Sequence, residues 1–321
     1  MEKKENEEKK EEKEKEEEEK DEEIKNFEEA GNILSEALEY AKSLVKENAK
    51  KLEIAEKVEE FVKTKNKDAR PAFPLNLSSN FVAAHSTPEY NDQTLIGKEI
   101  LNVDFGVELN GYPTDASFTI DFSQDNENQK LIEATKLALE NAISKVRANV
   151  EVKEIGKEIE KTITSFGFKP IRNLTGHGLK KGIVHFLPEI PNVYEENNKQ
   201  KLEEGMVIAI EPFATKGVGL VKESEKVEIF SYVGDTSFRF RDSQQVLEYI
   251  KNNFSTFPFA ERWIKIIPSR FRVLASIVDL ARNGALQQYP ELVEVSSKNV
   301  AHYEATVLVE KDSAKLLTKI I

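Results

Sequence analysis

Residues 103–115 read VDFGVELNGYPTD, two apolar runs joined by Asn110-Gly111. Asn-Gly is a strong two-residue hairpin signal, since both positions accept positive φ and the turn's twist suits antiparallel strands. With the turn at 110 and 111, position 104 falls opposite 117. Position 115 shares the face of 117, because side chains alternate along a strand. Asp104 and Asp115 are therefore diagonal neighbours on one face of segments that otherwise read as buried strand. Like charges that close repel, which raises one carboxyl's pKa unless a cation or a proton compensates. The stretch alone supports a metal site and a solvated strand end equally.

The 321 residues, 39% of them hydrophobic, suffice to bury a sizeable core, so one large domain or a domain with a subdomain is expected. The net charge of -12 argues against bulk affinity for nucleic acid, but its distribution matters more. Residues 1–23, MEKKENEEKKEEKEKEEEEKDEE, hold 14 acidic side chains against 7 lysines and no apolar residue after Met1. That segment is expected to be a disordered or fraying, partly helical arm, solvated rather than docked on a partner. Cysteine is absent, so a metal must be held by oxygen and imidazole, and a reducing cytoplasm fits. No apolar run approaches the roughly 18 residues of a membrane span, and the N-terminus lacks the apolar core of a signal peptide. A cytoplasmic protein is expected, with no membrane partner.

From Ile24 to Val62 the spacing predicts two packed helices, with Leu34, Leu38, Ala41 and Val45 as one apolar stripe. Asn128–Val150 and Val152–Phe166 predict a second pair. Strand-like runs fall at Met206–Phe213, Lys226–Val233 and Ala301–Val309. Between the last two, Asp242–Phe254, Pro258–Ile264 and Pro268–Leu286 read as helices, which makes residues 221–294 a mainly helical insertion into a common sheet. Within it SFRFRDS and AERWIKIIPSRFR interleave basic and aromatic residues, as RNA-contacting surfaces do. An ordinary helical face with its aromatics in the core is the preferred reading, so no specific nucleic acid is expected.

Histidine occurs only at 85, 177, 185 and 302. His177 lies between glycines in NLTGHGLKKG, which leaves its imidazole accessible. His85 follows an apolar lead in NFVAAHSTP, and His185 ends a short apolar run. Each alone is more often a hydrogen-bonded core or surface residue than a ligand. Glu211 in MVIAIEPF and Glu304 in AHYEATVLV interrupt apolar strands as Asp104 does. Burying an ionised carboxylate there is costly unless it is paired or metal-bound. Together, 104, 115, 177, 211 and 304 make the donor set that two divalent cations need, and oxygen with imidazole suits manganese, iron, cobalt or zinc. Such a pair activates water and polarises an amide carbonyl, which is hydrolase chemistry.

From about Phe27 onward the chain resembles the type II methionine aminopeptidases, the archaeal branch above all. The resemblance rests on PAFPLNLSSNFVAAHSTP, VDFGVELNGYPTD, NLTGHGLKKGIVH, EEGMVIAIEPFA and AHYEATVLVEKD, in that order, with a long insertion between the two Glu. It implies an α+β pita-bread fold with an inserted helical, winged-helix-like subdomain. The expected organisation is an arm at 1–23, a catalytic domain at 24–220 and 295–321, and the subdomain at 221–294. The resemblance implies that Asp104 chelates one metal, Asp115 and Glu304 bridge both, and His177 with Glu211 holds the other. Glu211 would also shuttle the proton of the attacking hydroxide. His85 and His185 would contact the scissile peptide, and Phe73 would wall the methionine pocket. The implied substrates are nascent polypeptides with N-terminal methionine and a small second residue. The ribosome is a further candidate partner, and a monomer is expected.

The chain departs from the family pattern at His302 and Ala305, where Gln and His are usual, at Ala116, and at Gly182 and Phe186. His302 could tune the site or add a ligand, but a tolerated polar replacement is the preferred reading. Two rival readings stand beside the aminopeptidase. A prolidase or aminopeptidase P normally carries a long N-terminal domain before the metal motifs, and a non-catalytic pita-bread scaffold normally loses metal ligands.

Overall fold

The computed structural model describes residues 2–236 and 240–321, with the side chains of the first helix from Lys15 onward except Glu16 and Glu17. The first three residues of SFRFRDS lie outside this range. In chain order the elements begin with α1 (Glu2–Leu44), α2 (Lys51–Lys65), β1 (Ala69–Ser79), β2 (Val82–Ala84), β3 (Ile100–Leu109) and β4 (Tyr112–Asp121). Next come α3 (Asn126–Ile143), α4 (Val152–Ser165), β5 (Lys169–Pro170), β6 (Thr175–Lys180), β7 (Ile183–Pro191), β8 (Val207–Ile210) and β9 (Phe213–Thr215). The chain closes with β10 (Val221–Tyr232), α5 (Arg241–Asn253), β11 (Phe259–Ala260), α6 (Arg270–Arg282), β12 (Leu286–Glu294), β13 (Val300–His302), β14 (Glu304–Val309) and β15 (Ala314–Leu316).

The hairpin forms as the Asn-Gly signal requires. Asn110 and Gly111 have φ of 53° and 89°, and β3 pairs with β4 so that Asp104 faces Ser117 and Gly106 faces Asp115. The hairpin lies inside an antiparallel sheet ordered β1-β3-β4-β14-β8-β6-β7, with β15 on β14. Alternation splits this sheet into two faces. Val103, Phe105, Ala116, Phe118, Ile208, Ile210, Ala305 and Val307 join Leu34, Leu38, Ile54, Val58, Leu131, Leu139, Ile155 and Ile159 in one core. All four helices α1–α4 thus cover the same face. The opposite face is left for the polar residues.

Helix α1 is unbroken across residues 23 and 24. Glu and Lys are good helix formers, and Gly31 is the first glycine in the chain, so nothing local ends the helix where its apolar stripe runs out. The stripe itself, Leu34, Leu38, Ala41 and Val45, is buried.

The expectation of a mainly helical 221–294 segment needs correction. Its two helices α5 and α6 sit with β10, β11 and β12, and β12 continues onto β2. Pro258–Ile264, expected as helix, is the short strand β11 followed by a single 3-10 turn at Glu261–Trp263. Prolines at 258 and 268 bracket a segment too short to repay helix nucleation, and its backbone pairs with Ile229 and Phe230 instead. The segment keeps its own apolar core, with Val246, Ile250, Phe259, Val273, Ile277 and Leu280 buried together.

Candidate metal centre

Strand register brings the acidic residues together. Asp104 on β3 faces Ser117 on β4, and Ser117 faces Glu304 on β14. The β14–β8 ladder pairs Ala305 with Ile210, so one step further sets Glu211 beside Glu304. Asp115 shares the face of Ser117 two residues back. Its N–H donates to Thr306 Oγ1 at 2.8 Å, and that hydroxyl donates to the Asp115 carbonyl at 2.7 Å. The threonine ties β4 to β14 at the level of Asp115.

His177 pairs across β6–β8 with Ala209, and Ala209 pairs with Thr306. Three strand spacings, roughly 14 Å on a flat sheet, therefore separate His177 from Asp115. Its Nε2 nevertheless lies 3.6 Å from Asp115 Oδ2 and 3.5 Å from Glu211 Oε1. Only a sheet curled about this face can do that. Nδ1 of His177 lies 3.2 Å from the Gly178 carbonyl. Donating there fixes the tautomer that leaves the Nε2 lone pair facing the carboxylates, as ligating histidines require.

Ligand atoms of Asp115, His177 and Glu304 lie within 4.8 Å of one another, and so do those of Asp104, His302 and Glu304. The two groups share Glu304. Asp104 Oδ1, Asp115 Oδ1 and Glu304 Oε1 are buried with no hydrogen-bond partner. Burial first, then the charge of Asp115, holds the carboxyls of Asp104, Glu211 and Glu304 well above the usual range. These donors converge on one place, and no Lys or Arg is among the residues lining the cleft around them. The described residues therefore fit divalent metal held mainly by oxygen.

The cleft is lined by Phe73, His85, Asp104, Asp115, His177, His185, Glu211 and Glu304, the eight residues to which the resemblance gives a role. His85 follows β2 with φ of 65°, a left-handed conformation in which a non-glycine residue is uncommon. Its Nδ1 lies 3.1 Å from the Pro290 carbonyl, and its ring meets Tyr289 edge-on at 5.7 Å. His185 stands with its ring 4.6 Å from that of His177. Burial, followed by the nearby His177 and His85, holds His185 well below the usual imidazole value, and burial also lowers His85. Both are neutral at pH 7.

One feature was missed in the sequence, and another was given too little weight. Ile229, Pro258 and Tyr289 of the 221–294 segment wall the cleft, so that segment is part of the site. His302, set aside as a polar replacement, is 1% exposed, and its Nε2 lies 3.7 Å from both Glu211 Oε2 and Glu304 Oε2. Burial pushes its pKa down to about 3, so these contacts are not ion pairs at neutral pH. The signal was present in the alternation of AHYEATVLV, which sets 302 and 304 on one face.

A curled antiparallel sheet, covered on one face by helices and carrying carboxylates and imidazole on the other, defines a metallopeptidase fold. The profile of metallopeptidase family M24 matches residues 25–248, and the chain belongs to that family. Within it the chain falls with the archaeal methionine aminopeptidases. That of Archaeoglobus fulgidus is 44% identical over 292 residues, spanning 91% of this chain and 97% of its own. Among solved structures, a thermophilic Arx1 superposes with a TM-score of 0.80 at 17% identity, over 92% of this chain and 90% of its own. Methionine aminopeptidase from Thermotoga maritima gives 0.67 at 22% identity, over 92% and 96%. These structural likenesses establish the pita-bread fold.

Proposed function

We propose that the chain removes the N-terminal methionine from proteins and peptides whose second residue is small, with two divalent ions held by Asp104, Asp115, His177, Glu211 and Glu304. The observation that carries this reading is the convergence of these five donors with His85, His185 and Phe73 in one cleft. Buried carboxylates without a lysine or arginine among them need added positive charge to persist as anions. Manganese, iron, cobalt and zinc all suit the donor set. Bound there, the ions would supply Lewis-acid polarisation of the first peptide carbonyl and lower the pKa of the attacking water.

The chain's own residues do the rest. Glu211, set beside Glu304 and 3.5 Å from His177 Nε2, is placed to take a proton from the attacking water and pass it to the leaving amine. His85, donating Nδ1–H to Pro290, presents Nε2 as an acceptor for the N–H of the scissile peptide. His185, neutral and beside His177, offers a hydrogen bond to the substrate carbonyl. Phe73, Ile229 and Pro258 form an apolar wall for the methionine side chain, and a bulky second residue would have to pass the same rim.

In this reading residues 24–220 and 295–321 form the catalytic unit, 221–294 an inserted winged-helix-like unit that walls it, and 1–23 a charged arm. The working state is a cytoplasmic monomer acting on nascent chains, with the ribosome as the place where it meets them. No helix among the described residues is long and apolar enough to cross a membrane. The test is hydrolysis of Met-Ala-Ser and Met-Leu-Ser by chelated protein, before and after adding manganese, cobalt, iron or zinc. Release of methionine from the first peptide alone, and only with metal, supports the reading. Folded protein that releases none under any metal refutes it.

A further inference from the structure

We infer that His302 is a direct ligand, through Nε2, of the cation held by Asp104 and Glu304, so that each ion of the pair receives one imidazole. This rests on the two-ion reading above and adds a ligand to its five. Three observations carry it. The ligand atoms of Asp104, His302 and Glu304 lie within 4.8 Å of one another, as do those of the Asp115, His177 and Glu304 group with which they share Glu304. The ring is 1% exposed and neither of its nitrogens has a hydrogen-bond partner, a costly arrangement unless something else receives a lone pair.

The third observation is that the ring's direction is fixed. It stacks on Phe213 with centroids 3.8 Å apart and planes 11° from parallel. The backbone beneath is held by Thr119, whose hydroxyl accepts from His302 N–H at 2.8 Å and donates to the His302 carbonyl at 2.7 Å. So oriented, Nε2 stands 3.7 Å from one oxygen each of Glu211 and Glu304, too far for a hydrogen bond. Two donors each about 2.1 Å from a shared cation stand about 3.0–3.4 Å apart at octahedral to tetrahedral angles. The observed spacing exceeds that by a few tenths of an ångström.

An added imidazole should shift preference toward borderline ions such as cobalt or zinc and away from manganese, which favours oxygen. The experiment uses chelated full-length protein titrated with Mn²⁺ or Co²⁺ by calorimetry. Pulsed EPR of the Mn²⁺-loaded form, with ¹⁵N-labelled histidine, counts the ligating imidazole nitrogens. Wild type is expected to bind two ions and show two such nitrogens. His302→Gln should lose one nitrogen and at least the 10- to 100-fold of affinity that even a supporting contact costs, at one ion only and more for cobalt than manganese. His177→Gln should remove the other nitrogen. The wild-type count needs no variant, so a His302→Gln protein that fails to fold leaves the test intact. Two bound ions with a single imidazole nitrogen, or a His302→Gln variant unchanged in count and affinity, overturns the assignment while sparing the two-ion reading. Wild type that binds no divalent ion overturns both.

Discussion

Replacing Arg262 with alanine should loosen the joint between the 221–294 segment and the metal-bearing sheet. The guanidinium is buried, with a side chain 3% exposed. Nη2 pairs with Glu59 Oε1 on α2, while Nη1 donates to Thr87 Oγ1 and to the Pro88 carbonyl, both at 2.9 Å. Glu59 also accepts from Trp263 Nε1 at 2.8 Å and Leu75 N–H at 3.1 Å. Removing one partner of a buried, hydrogen-bonded pair costs about 3–5 kcal/mol, because the other charge is left uncompensated. Unfolding entropy near 2.1 cal/mol/K per residue gives about 0.7 kcal/mol/K for 321 residues, so the melting temperature should fall by about 4–7 °C. Burial already raises Glu59 despite the opposing Arg262. Without the arginine its folded pKa rises further, so the deficit is smallest in acid, where a proton neutralises it, and grows as pH rises. Thr87 and Pro88 follow His85 closely, so kcat should drop with metal affinity unchanged. Thermal melts of metal-loaded protein at pH 5 and pH 8, together with peptide hydrolysis, measure both effects. Glu59→Leu combined with Arg262→Met should recover most of the stability. A shift under about 1.5 °C for Arg262→Ala, equivalent to about 1 kcal/mol, would refute the reasoning.

Gly106→Ala should act on the substrate pocket, because the added Cβ would lie 2.4 Å from Phe73 Cε1 and 2.8 Å from Cδ1. Overpacking of this kind costs about 1–3 kcal/mol and drives the ring into the cleft, so KM should rise, and adding Phe73→Leu should relieve the loss of stability. Asp115→Asn should lower activity by orders of magnitude and reduce the ions bound, seen by elemental analysis, with the fold retained. Full activity in that variant would return the scaffold reading to consideration. Burial and mutual repulsion raise Asp104, Glu211 and Glu304 in the fold, so the chelated fold binds more protons than the unfolded chain. The contribution of these three groups to stability is therefore greatest below about pH 4, the unfolded carboxylate range, and is lost as pH rises through the folded values. Metal replaces those protons, so the gap in melting temperature between loaded and chelated protein should widen from pH 5 to pH 8. A constant gap would contradict it.

Legibility differed from one part of the chain to another for physical reasons. Asn110-Gly111 set the register of β3 and β4, and the register alone made Asp104 and Asp115 neighbours, because hairpin pairing is local. The carboxylates at 211 and 304 stood out because they break apolar runs where burial makes charge expensive. The strand β12, which begins where the expected helix Pro268–Leu286 stops, was not read as a strand, since Leu286–Glu294 shows little apolar alternation and its partners, Val221–Tyr232 and Val82–Ala84, are distant in sequence. Trp263 and Arg262, read as part of a basic aromatic stretch, spend their polar atoms inside the protein on Glu59, which no local pattern announces. Phe271 of the same stretch is 79% exposed, so the expectation of aromatics turned to the core fails at that residue.

Curvature is what converts these separate signals into one site. On a flat sheet the β4 and β6 residues would stand roughly 14 Å apart, and the group of Asp115, His177 and Glu304 could not close. The helices α1–α4 all pack on one face, and the segment formed by β10, β11 and β12 hangs from β2 beside the other. Arg262 locks that segment to α2 and to the turn after His85. The carboxylates repel one another in the fold they share, so the same ions that supply the chemistry should also offset the repulsion. Stability and catalysis are then coupled through one set of donors. Substitutions that flatten the sheet, such as removal of the Thr306 hydroxyl that ties Asp115 to β14, should cost metal affinity before they cost the fold.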